Sequence, residues 1–153
     1  MPSTWNARVN HLCSSVFLCG SLLLAAAAQA EVTVKDAWVR GTVPAQKSTG
    51  AFATLTSTED AKLVGAKSPA AKVVEVHESM IHGGMAHMQA VESVALPAGK
   101  AVQLKPGGYH VMLIGLTKPI QAGEQVPITF EIEDAKGRRS TVDARAEVRP
   151  LGR

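Results

Sequence analysis

Short stretches of alternating polar and apolar residues, each ended by glycine or proline, make up most of the chain from Glu31 onward. In Val32–Arg40, β-branched and aromatic residues recur at alternate positions, and Gly41 and Pro44 follow. A period of two is typical of β-strands, because successive side chains point to opposite faces. No stretch has the period of an amphipathic helix. The pattern predicts an all-β fold, an antiparallel sandwich or small Greek-key barrel of about nine short strands.

The boundaries of these strands follow from the turn residues that separate them. Eight of the predicted strands cover residues 32–40, 50–56, 62–66, 72–78, 101–104, 109–116, 126–132 and 139–144, and a further strand begins at 85. In the second strand Phe52 and Leu55 are out of phase, which indicates a bulge or a shorter strand there.

The first thirty residues are typical of a secretory signal peptide. Arg8 and His11 lie in a weakly basic leader, residues 16–28 form an apolar run, and Ala28-Gln29-Ala30 is a small-residue cleavage motif. The apolar run is too short for a membrane span. We therefore expect export to the periplasm, cleavage after Ala30, no membrane span in the mature protein, and a single domain formed by residues 31–153.

Cysteine and charge content limit what this mature domain can be. Both cysteines, Cys13 and Cys19, lie in the leader, so the mature domain has no thiol or disulfide and depends on its core for stability. Lipid attachment at Cys19 is disfavoured, because the bulky Leu18 precedes it. Fifteen Lys and Arg against thirteen Asp and Glu leave a net charge of +2, with the basic residues dispersed. No nucleic-acid partner is predicted.

Methionine and histidine concentrate in residues 77–112, which hold four of the five methionines and four of the five histidines. The two residue types share no preference for helix or strand. Thioether sulfur and imidazole nitrogen do share an affinity for soft metal ions such as Cu(I). Outside the cytosol a thioether also avoids the disulfide formation to which a thiolate is exposed. Neutral ligands favour the monovalent ion over Cu(II), so the cluster predicts a copper-binding protein.

Two of these residues lie on one rigid strand. Because side chains alternate in the strand at 109–116, His110 and Met112 point to one face, while Val111 and Leu113 point to the other. Taken singly, a methionine usually fills a gap in a core, and a histidine is usually a hydrogen-bonded or surface residue. A shared face weakens both of these interpretations for this pair.

A hairpin brings the other two candidates towards each other. If residues 81–84 form a four-residue loop, His77 lies directly opposite Met88, and opposed side chains of this kind can reach one ion. A two-residue loop at Gly83-Gly84 would instead set His77 against Ala90. The four-residue loop is the register that we expect.

The four remaining members of the cluster are candidate auxiliary metal ligands: Met80, His82, Met85 and His87. In the four-residue register Met80 pairs with Met85 on the face opposite His77, which favours packing or loose capture of copper over direct ligation. His82 then lies in the turn, where an exposed loop residue and a residue that recruits copper are equally good interpretations.

The spacing of the main candidates resembles a known signature. His77, ten residues, Met88, twenty-one residues and then His110-Val111-Met112 match H-x10-M-x21-H-x-M, the signature of the PCu(A)C family of exported copper chaperones. The similarity extends over roughly residues 32–148 and includes Trp38-Val39-Arg40, Gly50-Ala51-Phe52 and Pro106-Gly107-Gly108.

This resemblance implies a cupredoxin-like barrel with a Cu(I) site formed by His77, Met88, His110 and Met112. It further implies a metallochaperone that delivers copper towards the binuclear copper centre of cytochrome c oxidase. The acceptor would be an oxidase subunit or another copper chaperone.

Other functional classes fit less well. A blue-copper electron-transfer site needs a cysteine thiolate, which the mature domain lacks. No H-E-x-x-H motif, nucleophile elbow or carboxylate pair accompanies the cluster, so we expect no enzymatic activity. Periplasmic copper storage or resistance, without a dedicated oxidase acceptor, uses the same ligand chemistry and stays as the alternative.

Overall fold

A computed structural model describes residues 29–151. These residues form ten strands and no helix, so the predicted all-β class is confirmed. The strands are β1 Val32–Arg40, β2 Ser48–Ser57, β3 Ala61–Lys67, β4 Ala71–His82, β5 Met85–Ala90, β6 Val94–Leu96, β7 Ala101–Leu104, β8 Tyr109–Leu116, β9 Gln125–Asp134 and β10 Arg139–Arg149. No membrane-crossing helix is found in this part of the chain. Except for Gln29 and Ala30, the predicted leader lies outside the described residues, and its cleavage stays a prediction.

The strands join edge to edge in the order β5-β4-β8-β2-β1-β10-β9-β3-β6, and β7 pairs with β2. Nine of the ten contribute side chains to one buried apolar cluster, centred on Leu55, Leu63, Leu113 and Phe130. The exception is β5, every residue of which is exposed. The sheet therefore curls round a single core, and the β4–β5 hairpin extends beyond that core.

Two parts of the sheet differ from the sequence-based prediction. The structure has one strand more than the nine identified in the sequence. The extra strand is β6, whose three residues are all apolar and too few for a period to be recognised, although Val94 and Leu96 are buried. The last strand ends at Arg149 rather than at residue 144, because its end pairs with Trp38 to Arg40 of β1. This pairing is parallel, whereas every other strand pairing among the described residues is antiparallel.

The irregularity expected in the second strand lies instead in its partner, β1. Between Lys35 and Trp38 the register shifts, and β1 carries one residue more than β2. Within this bulge Asp36 has a φ of 50°, a left-handed conformation in which aspartate is enriched over most other residues. The bulge places Trp38 opposite Phe52, and the two ring centroids are 4.4 Å apart. A local backbone irregularity thus positions an aromatic pair beside β8.

The loop of the β4–β5 hairpin has two residues, Gly83 and Gly84. Their φ angles of 60° and 79° are those of a type I′ turn, which needs φ above zero at both central positions. His82 pairs with Met85 directly across this turn. The four-residue loop predicted from the sequence is therefore wrong, because two consecutive glycines can close the hairpin by themselves.

The shorter loop changes the partners of the predicted ligands but leaves them on the same faces. Ala90 lies opposite His77, and Met88 lies opposite Ser79. Because the register moves by two residues and side chains alternate with a period of two, Met88 still shares a face with His77. Met88 is the diagonal neighbour of His77 instead of its direct partner.

Candidate metal centre

Three neighbouring strands bring the four predicted ligands to one face of the sheet. β4 lies between β5 and β8. On β4, His77 is directly opposite His110 of β8, and their ring centroids are 6.0 Å apart. Met88 of β5 and Met112 of β8 flank this histidine pair as diagonal neighbours of His77. Diagonal cross-strand positions are about 7–8 Å apart, within reach of long side chains.

A pocket of about 230 Å³ opens on this face, and Met88, His110 and Met112 line it. The rest of its wall comes from Arg40, Gln46, Ser48, Thr49, Gly50, Phe52, Ser79, Pro106 and Gly107. His77 is not among the lining residues, and its ring centroid lies 6.0 Å from that of His110. His110 is 4% exposed and Met88 is 55% exposed. The candidate donors of the pocket thus range from a buried imidazole to a thioether that is open to solvent.

Glu75 determines which nitrogen of His77 carries a lone pair. The His77 Nε2 atom lies 2.9 Å from Oε2 of Glu75, and because a carboxylate only accepts hydrogen bonds, Nε2 is the donor. The lone pair is then on Nδ1, which is buried and has no hydrogen-bond partner. An unsatisfied buried polar atom costs about 1–3 kcal/mol. This atom is therefore available to a ligand that accepts a lone pair, such as a metal ion.

His110 is held in the complementary way by the backbone. Its Nδ1 atom lies 3.1 Å from the carbonyl oxygen of Gly108 and donates to it, so Nε2 has the free lone pair. Metal-binding histidines usually donate their second ring N–H to a carboxylate or a carbonyl in this manner. Sequence reasoning missed both Glu75 and Gly108. Each lies two residues before the histidine that it holds, which is the signal by which they could have been found.

Aromatic rings support the buried side of the pocket. The centroid of Phe52 lies 6.1 Å from that of His110, and the Trp38 ring packs against Phe52 at an interplanar angle of 32°. Gly50 is paired with Met112, and a Cβ atom at Gly50 would come within 2.9 Å of Cζ of Phe52. A side chain at Gly50 would therefore displace the ring that packs beside His110 and Met112.

Behind the pocket, on the other face of the sheet, Glu78 is paired with Tyr109. The negative charge of Glu78, burial, and the hydrogen bond that the hydroxyl donates to this carboxylate raise the pKa of Tyr109 above its ordinary value. Tyr109 therefore keeps its proton at neutral pH and adds no charge next to His110.

The four auxiliary candidates also lie on this other face of the hairpin. Met80 pairs with His87, and His82 pairs with Met85. Met80 is 42% exposed and Met85 is 65% exposed, and neither belongs to the core. Neither methionine therefore packs in the core, and His82 belongs to β4 instead of the turn.

The donors at the pocket have a distinct chemical character. They are two thioether sulfurs and two imidazole nitrogens, all neutral, a combination that suits a soft monovalent ion. Within residues 29–151, no group of three or more His, Cys, Asp or Glu side chains is arranged to hold a metal ion.

Comparison with known proteins gives a family match over most of the chain. Residues 32–145 match the family described as "Putative lipoprotein LpqE-like". "Putative lipoprotein Lxx21020" of Leifsonia xyli subsp. xyli is 37% identical over 106 residues, which cover 67% of this chain and 63% of the relative. A protein of Rickettsia prowazekii, RP573, is 29% identical over 113 residues, covering 70% and 62%. The chain thus spans less than two thirds of the length of these curated relatives.

Solved structures agree with this match. The Cu(I)-bound form of DR1885 from Deinococcus radiodurans is 38% identical, with a TM-score of 0.60 over 81% of this chain and 83% of that protein. The apo PCuAC domain of PmoF1 has a TM-score of 0.61 at 20% identity, over 80% and 98% of the two chains, which shows a shared fold. The cupredoxin-like fold is therefore confirmed. The resemblance to the PCu(A)C family, inferred from the signature, is also confirmed, and the chain belongs to the LpqE-like family.

Proposed function

We propose that this protein is an exported carrier of Cu(I) that binds the ion through His77, Met88, His110 and Met112. The observation that carries the proposal is the buried Nδ1 atom of His77, which has no hydrogen-bond partner. The His77 ring centroid lies 6.0 Å from that of His110, which lines a pocket together with two thioethers. The Cu(I)-bound state of the Deinococcus radiodurans relative supports the identity of the ion. The protein acts as a metal-binding carrier and not as an enzyme.

The exposure of the pocket suits transfer of the ion. Met88 is exposed and lies on β5, which is an edge strand of the sheet, so an acceptor can approach it from solvent. A ligand from the acceptor can replace the Met88 sulfur while the buried His110 still holds the ion. Replacement of one ligand at a time lets the ion pass between proteins without release into solution. Because the ligands are neutral, release of the cation does not require its separation from a negatively charged site.

We infer that the copper goes towards the binuclear centre of cytochrome c oxidase, through an oxidase subunit or a second chaperone. Support comes from the H-x10-M-x21-H-x-M signature. Export to the periplasm, with cleavage after Ala30, is part of the same proposal. The names of the matched family and of the Leifsonia relative, both given as lipoproteins, support export.

The proposed ion selectivity predicts the result of a titration. Under anaerobic reducing conditions, the domain of residues 31–153 is expected to bind Cu(I) far more tightly than Zn(II), because thioethers are soft donors and no thiolate is present. Met88→Ala and Met112→Ala should each weaken Cu(I) binding. Competition with a chromogenic chelator measures the affinity of the domain for each ion. Equal affinities, or unchanged Cu(I) binding in both variants, would contradict the soft site.

The role of Glu75 can be tested separately. Glu75→Leu is expected to weaken Cu(I) binding by about 10–100-fold, the usual effect of removing a hydrogen-bond partner of a metal ligand. Glu75→Gln should have a smaller effect, because its amide oxygen still accepts from Nε2 of His77. Nitrogen chemical shifts of His77 should report one tautomer in the wild type and a mixture in Glu75→Leu. Glu92→Leu, an exposed glutamate in a loop, is the control. An unchanged tautomer in Glu75→Leu would rule out this role.

Delivery predicts a phenotype that depends on copper supply. Deletion of the gene is expected to lower cytochrome oxidase activity severalfold in copper-poor medium, and added copper should restore it. Oxidase activity in membranes, and growth at raised copper, are the two measurements. Unchanged oxidase activity together with reduced copper tolerance would contradict delivery and indicate copper storage or resistance as the function.

A further inference from the structure

We propose that the β4–β5 hairpin carries a second Cu(I) site, on the face opposite the pocket, formed by Met80, His82, Met85 and His87. For brevity these four residues are called the outer quartet. The site goes beyond the proposed function, on which it rests only for the identity of the ion.

The two-residue turn brings the four residues of the outer quartet together. With a two-residue loop at Gly83-Gly84, Met80 is directly opposite His87, and His82 is directly opposite Met85. Directly opposed positions have Cβ atoms about 4.5–5.5 Å apart, and diagonal ones about 7–8 Å, so these long side chains can meet over one ion. A four-residue loop would have placed His82 in the turn and separated it from the others. The observed register is therefore the one that gathers two sulfurs and two imidazoles.

The exposure of the outer quartet argues against a packing role. All four side chains are exposed, Met85 by 65%. Methionine is usually found as a gap-filler in cores, and this role does not apply to residues outside the core. The two exposed thioethers and the two exposed imidazoles on this face share an affinity for soft ions. The carboxylate of Glu78, two residues before Met80 on the same face, adds a field that attracts a cation.

The two sites share the hairpin but no donor. Because side chains alternate along a strand, the outer quartet and the pocket ligands lie on opposite faces. The outer ligands are not fixed by packing, and water competes with them at every position. We therefore expect the outer quartet to bind Cu(I) more weakly and to exchange it faster than the pocket does, as a point of capture at the exposed end of the molecule.

Stoichiometry and histidine resonances test the proposal on the domain of residues 31–153. Cu(I) is added under anaerobic conditions in competition with chelators of graded affinity, and ring resonances of the histidines are followed by NMR. The wild type is expected to bind two ions, with His77 and His110 shifting first and His82 and His87 shifting with the second equivalent. Met80→Leu/Met85→Leu should bind one ion and shift only the pocket histidines. Gln89→Ala, an exposed residue on the outer face, should still bind two.

The pocket and the outer quartet can fail independently in this experiment. Met88→Leu/Met112→Leu is expected to retain one ion, now reported by His82 and His87. If the wild type binds a single ion and the outer histidines do not shift with excess Cu(I), the outer site is overturned. Two ions in Met80→Leu/Met85→Leu, or none in Met88→Leu/Met112→Leu, overturn it as well. If Met88→Leu/Met112→Leu loses nothing while the outer variant loses all binding, the pocket is wrong and the outer quartet is the copper site.

Discussion

Replacement of Met88 and Met112 together by leucine is expected to lower the affinity of the pocket for Cu(I) by more than about 100-fold. Loss of a group that only orients a metal ligand already costs about 10–100-fold, and this variant removes two of the ligands themselves. The two imidazoles of His77 and His110 would remain as the only donors at the pocket. Leucine has nearly the volume of methionine, so exchange costs less than about 1.5 kcal/mol of stability and the fold should persist.

The measurement is a competition titration in which a high-affinity Cu(I) chelator reports the tightest site. The matched control is Ile81→Leu, since Ile81 lies on the same hairpin face as Met88 and is exposed. This control should bind as the wild type does. The assignment of the ligands would be wrong if the double variant kept its affinity, or if the control lost as much.

The faces of the ligands were predictable from the sequence because they depend only on alternation. In β8, Val111 and Leu113 are both 0% exposed, while His110 and Met112 line the pocket, as their spacing indicated. Alternation also explains why the error in the loop length did not change the predicted face of Met88. Loops of two and four residues differ by two in register, and both leave Met88 on the face of His77. The predicted loop length was wrong, but it placed Met88 on the correct face of the hairpin. Only the residue opposite Met88 was predicted incorrectly.

Some features could not be predicted from the alternation of residues alone. The parallel pairing of Val148 with Val39 joins the last strand to the first, so the two partners are far apart in sequence. The spacing of two residues places Glu75 on the face of His77, but the hydrogen bond between them depends on the orientation of one imidazole ring. The three residues of β6 are too few for any periodicity. The outer quartet was visible as four residues, but its arrangement required knowledge that Gly83 and Gly84 both adopt positive φ.

Relocation of one sulfur along β5 should reveal the hairpin register in solution. Met88→Ala is expected to weaken Cu(I) binding, and a methionine introduced at position 90 in the same variant should recover at least about tenfold, or ~1.4 kcal/mol. Ala90 lies directly opposite His77, so a sulfur there is close to the His77 imidazole. A methionine introduced at Gln89 instead should recover nothing at the pocket, because position 89 points to the other face. The hydrophobic content of the two variants is nearly the same, which makes each the control for the other.

A third variant separates the two registers, because it moves the sulfur towards the turn. With the two-residue loop, Ala86 is opposite Ile81 and far from His77, so Met88→Ala/Ala86→Met should recover much less than the variant with methionine at position 90. With a four-residue loop, positions 86 and 90 would be equivalent diagonal neighbours of His77 and would recover equally. Titration of the three variants against one chelator measures the difference. Equal recovery at 86 and 90 would contradict the two-residue turn, and with it the geometry that gathers the outer quartet, whereas recovery at 89 would contradict the pocket itself.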